Sequence, residues 1–404
     1  MSVKGMADIL PEESWKWEKI RSIFLENAMR LGYKLIETPV VEYANLFIRG
    51  VGDGTDIVEK QMYLFTDKKG NALALRPEGT ASAARSLIEH KYSQELHKWC
   101  YFGPMYRYER PQKGRMRQFH QAGIEAFGAD DPALDAEQIA LAYRLTRLFG
   151  IESGKILLNS IGCPSCRPSW QDALVDYFND YKEQLCADCK RRLDINPLRI
   201  LDCKIKGCSE IAKNAPTGID YLCDSCKTHH NKLKEYLSAM NLDFVEDAKL
   251  VRGLDYYTKT VFEITTDEIG SQSALIAGGR YNNLVKSLGG RQTPATGWAM
   301  GIERILLLSN IEHGSDELIY FIALDEDSKA ELFNLFISVS RNRNCYFDYK
   351  GGSLKAQLRR ANRIDAKICV IMGKDEGEKG MLLVKDMKKK TQKLIKNNEL
   401  GEIL

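Results

Sequence analysis

No apolar run in this chain approaches the roughly 20 residues that a membrane span requires. Its opening residues, M-S-V-K-G-M-A-D, lack the hydrophobic stretch of a secretory leader. Both absences predict a soluble, cytoplasmic protein with no membrane partner. Excess charge is lacking too: 58 Lys and Arg stand against 55 Asp and Glu, a formal net charge of +3. Any nucleic-acid binding must therefore come from local basic patches and not from a globally cationic surface. Internal repeats are not evident. The 404 residues, 44% of them hydrophobic, suffice for two or three domains with real cores.

Cysteine is sparse outside one window and dense inside it, with eight of the eleven lying between Cys163 and Cys226. They form the pairs Cys163-x2-Cys166, Cys186-x2-Cys189, Cys203-x4-Cys208 and Cys223-x2-Cys226. A pair of thiolates on one tight turn supplies half of a tetrahedral metal site, and the gaps between successive pairs fit a zinc-ribbon spacing. Disulfides are the weaker reading for a chain in a reducing compartment. The expected zinc is structural, because a closed four-thiolate site leaves no open position for chemistry and a small insert needs a staple. His229 and His230 follow closely as substitute ligands or, more simply, as solvated side chains.

The segment Tyr101 to Gly128, Y-F-G-P-M-Y-R-Y-E-R-P-Q-K-G-R-M-R-Q-F-H-Q-A-G-I-E-A-F-G, reads as two strands, Trp99 to Glu109 and Gln118 to Phe127, around a loop with Pro111 and Gly114. Arg110, Lys113, Arg115 and Arg117 make the loop an anion site. Arg107 and Glu109 fall inside the first expected strand, and Gln121 and Glu125 inside the second. Charges in such apolar surroundings need partners, which a ligand bearing phosphate, amine and amide-like groups would supply.

This segment resembles motif 2 of the class II aminoacyl-tRNA synthetases, in the histidyl-tRNA synthetase form. Leu75 to Ala81 (L-R-P-E-G-T-A) resembles that family's amino-acid loop, while Val251 to Tyr257 (V-R-G-L-D-Y-Y) and Ala277 to Tyr281 (A-G-G-R-Y) resemble its two histidine signatures. Gly32 to Pro39 resembles motif 1, and Gly297 to Arg304 (G-W-A-M-G-I-E-R) resembles motif 3. The six strings occur in the family's order.

The resemblance implies a histidine–tRNA ligase that joins L-histidine to ATP with Mg2+ and then charges tRNA(His). It also implies a homodimer joined partly through motif 1. Arg107 is expected on the α-phosphate and histidine carboxylate, with Arg252 opposite it; Arg115 and Arg304 are expected on the outer phosphates, with Glu109 and Phe119 also in the ATP site. Glu78 and Thr80 suit the ammonium. Gln121, Glu125 and Tyr256 suit the imidazole, with Tyr257 and Tyr281 closing the pocket and Gly278 letting backbone approach the ligand. The family does not require the cysteines, which mark a subtype of its insertion. A rival is the family's regulatory paralogue of ATP phosphoribosyltransferase, which binds histidine without charging tRNA; another is a silent sensor of uncharged tRNA.

The expected organisation is an α+β catalytic domain with an antiparallel sheet in two parts, 1–160 and 246–312. A helical, cysteine-rich insertion at 161–245 separates them. A C-terminal α/β domain, 316–404, occupies the place of the family's anticodon-binding domain. Its alternating strands and helices argue for a largely parallel sheet. On the expected helix Leu354 to Arg363, Lys355, Arg359 and Arg363 recur every four residues without an acid, a tRNA-binding face to which Lys113 and Arg117 are added from the hairpin loop. Five lysines between Met387 and Lys396 read as plain solvation.

Overall fold

The computed structural model describes residues 1–52, 55–93, 95–268, 274–312 and 317–403. They form two compact units, Met1–Ile311 and Glu312–Leu404. The expected start of the C-terminal domain, at residue 316, lies outside the described residues.

The strands of the first unit are β1 (Lys34–Leu35), β2 (Val41–Tyr43), β3 (Tyr63–Thr66), β4 (Ala72–Leu75), β5 (His97–Tyr106), β6 (Gln118–Phe127), β7 (Lys155–Ser160), β8 (Phe244–Glu246), β9 (Thr258–Thr265), β10 (Ala274–Arg280) and β11 (Ala295–Gly301). Eight of them build one sheet in the order β1-β5-β6-β11-β10-β9-β7-β8. Only its two edge pairs, β1 with β5 and β7 with β8, are parallel. Strands β2, β4 and β3 form a small side sheet.

Period-two alternation decides which face holds the site. On β6, Ala122 and Ile124 enter a core with Phe24 of helix Pro11–Arg30 and Ile139 of helix Pro132–Leu148. The other face of β6 therefore carries Phe119, Gln121, Gly123 and Glu125. In register with them on β11 stand Gly301, Ala299 and Gly297, and Ala277 on β10 continues the row from Ala299. Small residues across the middle of the sheet leave room above it.

Helix Pro11–Arg30 opens on a proline with Glu12 and Glu13 in its first turn, and Gly32 at φ 84° ends it. Helix Pro132–Leu148 begins where Asp131 caps it by accepting the Ala133 N–H and Pro132 suits the first helical position. Between β7 and β8 the insertion consists of short helices, among them Arg167–Asn179, Ala187–Ile195, Lys206–Ala212 and Asp224–Ala239.

Two strand expectations are corrected. β5 ends at Tyr106, so Arg107 and Glu109 lie beyond it; the chain peels away as Tyr108 N donates to Gln61 O and Glu109 N turns back on Arg107 O. Leu250 to Arg252 is irregular, its Leu250 carbonyl satisfied by the Asn159 side chain. In the second unit, β12 (Ile319–Ala323), β13 (Cys345–Phe347), β14 (Ile368–Met372), β15 (Met381–Asp386) and β16 (Thr391–Lys396) have the order β13-β12-β14-β15-β16. Only the first three are parallel; β15 and β16 form an antiparallel hairpin. The lysine run thus belongs partly to an edge strand, a position where lysines discourage further pairing.

Candidate active site

A cavity of about 310 Å³ opens over the small-residue rows of the sheet. Its lining includes Glu78, Thr80, Arg107, Glu109, Arg115, Phe119, Gln121, Arg252, Tyr256, Tyr257 and Arg304. Residues from five separate stretches of sequence therefore meet in one volume.

Arg107 leaves the end of β5 with its Nε donating to the Pro77 carbonyl at 2.9 Å and its guanidinium 5.1 Å from the Phe119 ring centre. Its remaining nitrogens have no partner among the described residues, which leaves them for an anion. Arg252 ion-pairs with Glu263 through Nη1, while its buried Nε lacks a partner among the described residues. Arg304 donates to Gly114 O at 3.2 Å and to Ala274 O at 2.6 Å, which ties motif 3 to the hairpin loop. Arg115 forms a two-pronged pair with Glu109. The buried Gln121 Oε1 has no partner among the described residues, a condition a ligand N–H would relieve.

Glu78 sits at the start of helix Thr80–Glu89 and accepts the N–H groups of Thr80 at 2.6 Å and Ala81 at 2.8 Å. Burial nevertheless raises its pKa above the ordinary carboxylate value. Glu125 lies deeper and does not line the cavity. Its Oε1 accepts from Thr80 Oγ1 at 2.6 Å and Tyr101 Oη at 3.3 Å, and its Oε2 accepts from Tyr281 Oη. Burial pushes Glu125 up to about 8 despite the Thr80 and Tyr281 hydroxyls. Three of its roughly four acceptor positions are filled by protein. Glycines make this possible: a Cβ on Gly297 would lie 2.0 Å from Glu125 Oε2, and one on Gly123 would strike the Tyr101 ring at 2.4 Å.

Gly278 has a different reason from the one expected. A Cβ there would meet Gly297 O at 2.3 Å, so the neighbouring strand, and not a ligand, excludes a side chain. Tyr281 is buried behind the cavity against Tyr256, ring centres 5.4 Å apart. Lys113 is exposed at the hairpin tip; Arg117 lies 3.9 Å from the Tyr108 ring centre and donates to Glu109 O. In the other unit Lys355, Arg359 and Arg363 are exposed on helix Leu354–Arg363 without an ion pair among the described residues, whereas Arg360 between them pairs with Asp348.

Three features escaped the sequence reading. Glu263, the partner of Arg252, stands among apolar residues of β9, the same signal that singled out Glu125 on β6. Glu303 accepts the His120 backbone N–H at 2.9 Å and bridges motifs 2 and 3. Arg280, fully buried, pairs with Asp135, which also accepts from Thr260 and bonds His229 at 2.8 Å. Burial alone would raise the Asp135 carboxyl; the Arg280 guanidinium and the His229 bond hold it well below the usual range. His230 bonds Glu246 at 2.8 Å and is also buried. Neither histidine is solvated or joins a thiol group, contrary to both expectations.

The eight insertion cysteines gather into two nested sets: the two middle pairs join as successive pairs, and the first and last pairs join around them. Cys163, Cys166, Cys223 and Cys226 form the outer set, and Cys186, Cys189, Cys203 and Cys208 the inner one, with ligand atoms within 4.8 Å of one another in each. Outer sulfur separations of 3.7, 3.9 and 3.8 Å match the edge of about 3.8 Å that a tetrahedron with 2.3 Å metal–sulfur bonds requires. They are far from the roughly 2.05 Å of a disulfide. The nesting brings together helix starts that are distant in sequence, which spacing alone could not reveal.

The profile described as Histidyl-tRNA synthetase matches residues 5–165 and 204–305, and the one described as Anticodon binding domain matches 339–404. A curated Histidine--tRNA ligase from Halothermothrix orenii is 45% identical over 395 residues, covering 95% of this chain and 94% of that protein. The solved apo histidyl-tRNA synthetase of S. aureus superposes with a TM-score of 0.84 at 33% identity, covering 100% of this chain and 99% of the other. A Bacillus halodurans structure titled as an ATP phosphoribosyltransferase regulatory subunit/histidyl-tRNA synthetase shares the fold, with a TM-score of 0.66 at 23% identity over 92% of this chain and 98% of that one.

Proposed function

The chain belongs to the histidyl-tRNA synthetase family, and from that membership we propose how its cavity serves an aminoacyl-tRNA synthetase. The reaction joins L-histidine to ATP, giving histidyl-adenylate and pyrophosphate, and then passes histidine to the 3′ end of tRNA(His) for translation. A carboxylate oxygen attacks the α-phosphorus, the bond to the bridging oxygen breaks, and the electron pair leaves with pyrophosphate. A terminal ribose hydroxyl of the tRNA then attacks the acyl carbon and AMP departs. Neither step needs a covalent protein intermediate; positioning and charge neutralisation supply the catalysis.

The observation that carries the site assignment is the pair of cavity arginines with unclaimed nitrogens, Arg107 and Arg252. In this reading they hold the α-phosphate from two sides, and Arg107 also takes the histidine carboxylate. Arg304 and Arg115 bind the outer phosphates beside Glu109 and Phe119. Glu78 and Thr80 receive the ammonium, whose charge offsets the cost of burying Glu78. Gln121 and Tyr256 face the imidazole. Tyr257 closes that pocket, with Glu125 and Tyr281 fixing Thr80 from behind. A site whose buried polar groups need a two-nitrogen ring rejects side chains that leave them unpaired.

The Mg2+ implied by the family fits best as an ion carried by the ATP phosphates. Glu109, Glu263 and Glu303 each already hold a protein partner, and Mg2+ commonly takes most of its ligands from phosphate and water. The two thiolate sets fit structural zinc in donor type and spacing. For tRNA, the exposed cations Lys355, Arg359 and Arg363 and the loop cations Lys113 and Arg117 are the proposed contacts. Two copies would pair partly through Gly32 to Pro39, and the enzyme would act in the cytoplasm.

Histidine-dependent exchange of pyrophosphate into ATP by the purified chain tests this reading. Exchange that requires histidine, and no other amino acid, is expected. Histidine binding without exchange would instead favour the regulatory paralogue.

A further inference from the structure

Residues 250–257 deliver Arg252, Tyr256 and Tyr257 to the cavity but possess neither a strand nor a helix. Their placement depends on what grips them. Asn159 Nδ2 holds Leu250 O at 2.9 Å from β7, and Val51 O accepts the Asp255 N–H at 3.1 Å. Arg252 is also paired with Glu263 of β9. Two further grips come from the insertion: Asn196 Nδ2 donates to Asp255 Oδ1 at 2.8 Å, and Arg167 Nη2 donates to Tyr257 O at 2.5 Å.

Arg167 follows directly on Cys166 and opens the next helix. Its backbone N–H donates to Cys163 O at 2.9 Å, while its guanidinium also takes Ile161 O and Gly162 O, both at 3.2 Å. Gly162 has φ 69°, and a Cβ there would lie 2.8 Å from Cys166 Sγ. The turn that presents two thiolates is therefore the turn that aims Arg167 at the cavity loop. On its other side the turn is tied to β9, Ile161 N–H donating to Lys259 O and Lys259 N–H to Gly162 O, both at 2.8 Å; the side-chain core around the thiolates consists of Cys166, Leu222 and Cys226, with Cys163 and Cys223 packed against them. The sulfurs are themselves most of that core.

We propose that the outer thiolate set, filled by zinc, is a positioning device for the histidine pocket, acting through Arg167 on the backbone of Tyr257. This rests on the synthetase reading and on zinc in the outer set. It departs from the sequence expectation that the cysteines concern only the insertion. Arg167 is a positioning residue: it holds the loop and does not line the cavity.

The test uses the full chain purified under reducing conditions without chelator. Zinc content, the KM values for histidine and ATP in pyrophosphate exchange, and hydrogen exchange over 250–258 are measured together. Arg167→Met should keep the parent zinc content, raise the histidine KM about tenfold, as loss of a buried charged hydrogen bond implies, and leave the ATP KM within about twofold. Hydrogen exchange in 250–258 should quicken. Cys223→Ser should lose one zinc and show the same rise in histidine KM; if it fails to fold, Arg167→Met alone decides. A parent histidine KM in Arg167→Met, or in a folded Cys223→Ser that has lost its zinc, would overturn the proposal. Parent protein without zinc would remove the metal from it, and parent protein without histidine-dependent exchange would remove the synthetase reading beneath it.

Discussion

Replacing Arg252 by alanine separates two consequences that the geometry binds together. One is loss of a donor aimed at the reacting phosphate, for which about 100- to 1,000-fold in rate, roughly 2.7–4 kcal/mol, is typical. The other is structural, because Glu263 loses its cation. Stripping a fully buried pair of one member costs about 3–5 kcal/mol. Here both side chains remain 18% exposed, so water reaches the orphaned carboxylate and a cost on the order of 2 kcal/mol is the better figure. Glu263→Gln removes the orphaned charge without replacing the donor. Arg252→Ala should therefore lower both the exchange rate and the urea midpoint. The double variant should recover most of the midpoint while exchange stays at least about 100-fold below the parent. Histidine affinity, read by equilibrium binding, should move far less than the rate. A double variant that exchanges at nearly the parent rate would refute the catalytic role, because the single variant's defect would then be the unpaired glutamate.

Three further outcomes follow from other parts of the molecule. Arg280→Met should destabilise the first unit by about 3–5 kcal/mol, since it leaves Asp135 charged and fully buried, and adding Asp135→Asn should restore part of the loss in urea unfolding. Glu125 titrates higher in the folded protein than in the unfolded chain. Its folded state therefore holds the extra proton between the usual carboxylate range and about 8, and stability falls as pH rises through that window; the melting temperature of Glu125→Gln relative to the parent should climb between pH 5 and 8, and a constant difference would show that Glu125 is not raised. Reversing charge at Lys355, Arg359 and Arg363 should weaken tRNA binding and reduce its salt slope by about one unit per lost phosphate contact. Pyrophosphate exchange should be untouched, and parent-level charging would make that helix face mere solvation.

Much of the fold was legible where one local signal sufficed. Strand Gln118–Phe127 and helix Leu354–Arg363 have the bounds expected from the sequence. The hairpin Met381–Lys396 was missed because β16 buries only Ile395 and reads as a charged run. Arg107 and Glu109 read as strand because their alternation continues that of β5, although the hydrogen bonds of the chain turn elsewhere. In the site, the motifs named the arginines and Glu78, but not which acids restrain them. The pairing of Arg252 with Glu263 is a register effect between a loop and β9, and the nested cysteine sets are a consequence of tertiary folding. Neither leaves a trace in spacing.

The central claim is that this chain activates histidine and delivers it to tRNA. The direct measurement is the amount of radiolabelled histidine esterified to a tRNA(His) transcript by purified protein with ATP and Mg2+, beside parallel reactions with other amino acids. The account predicts acceptance approaching one histidine per tRNA 3′ end, dependent on ATP and absent with the other amino acids. A protein that binds histidine and tRNA yet leaves the tRNA uncharged would contradict it.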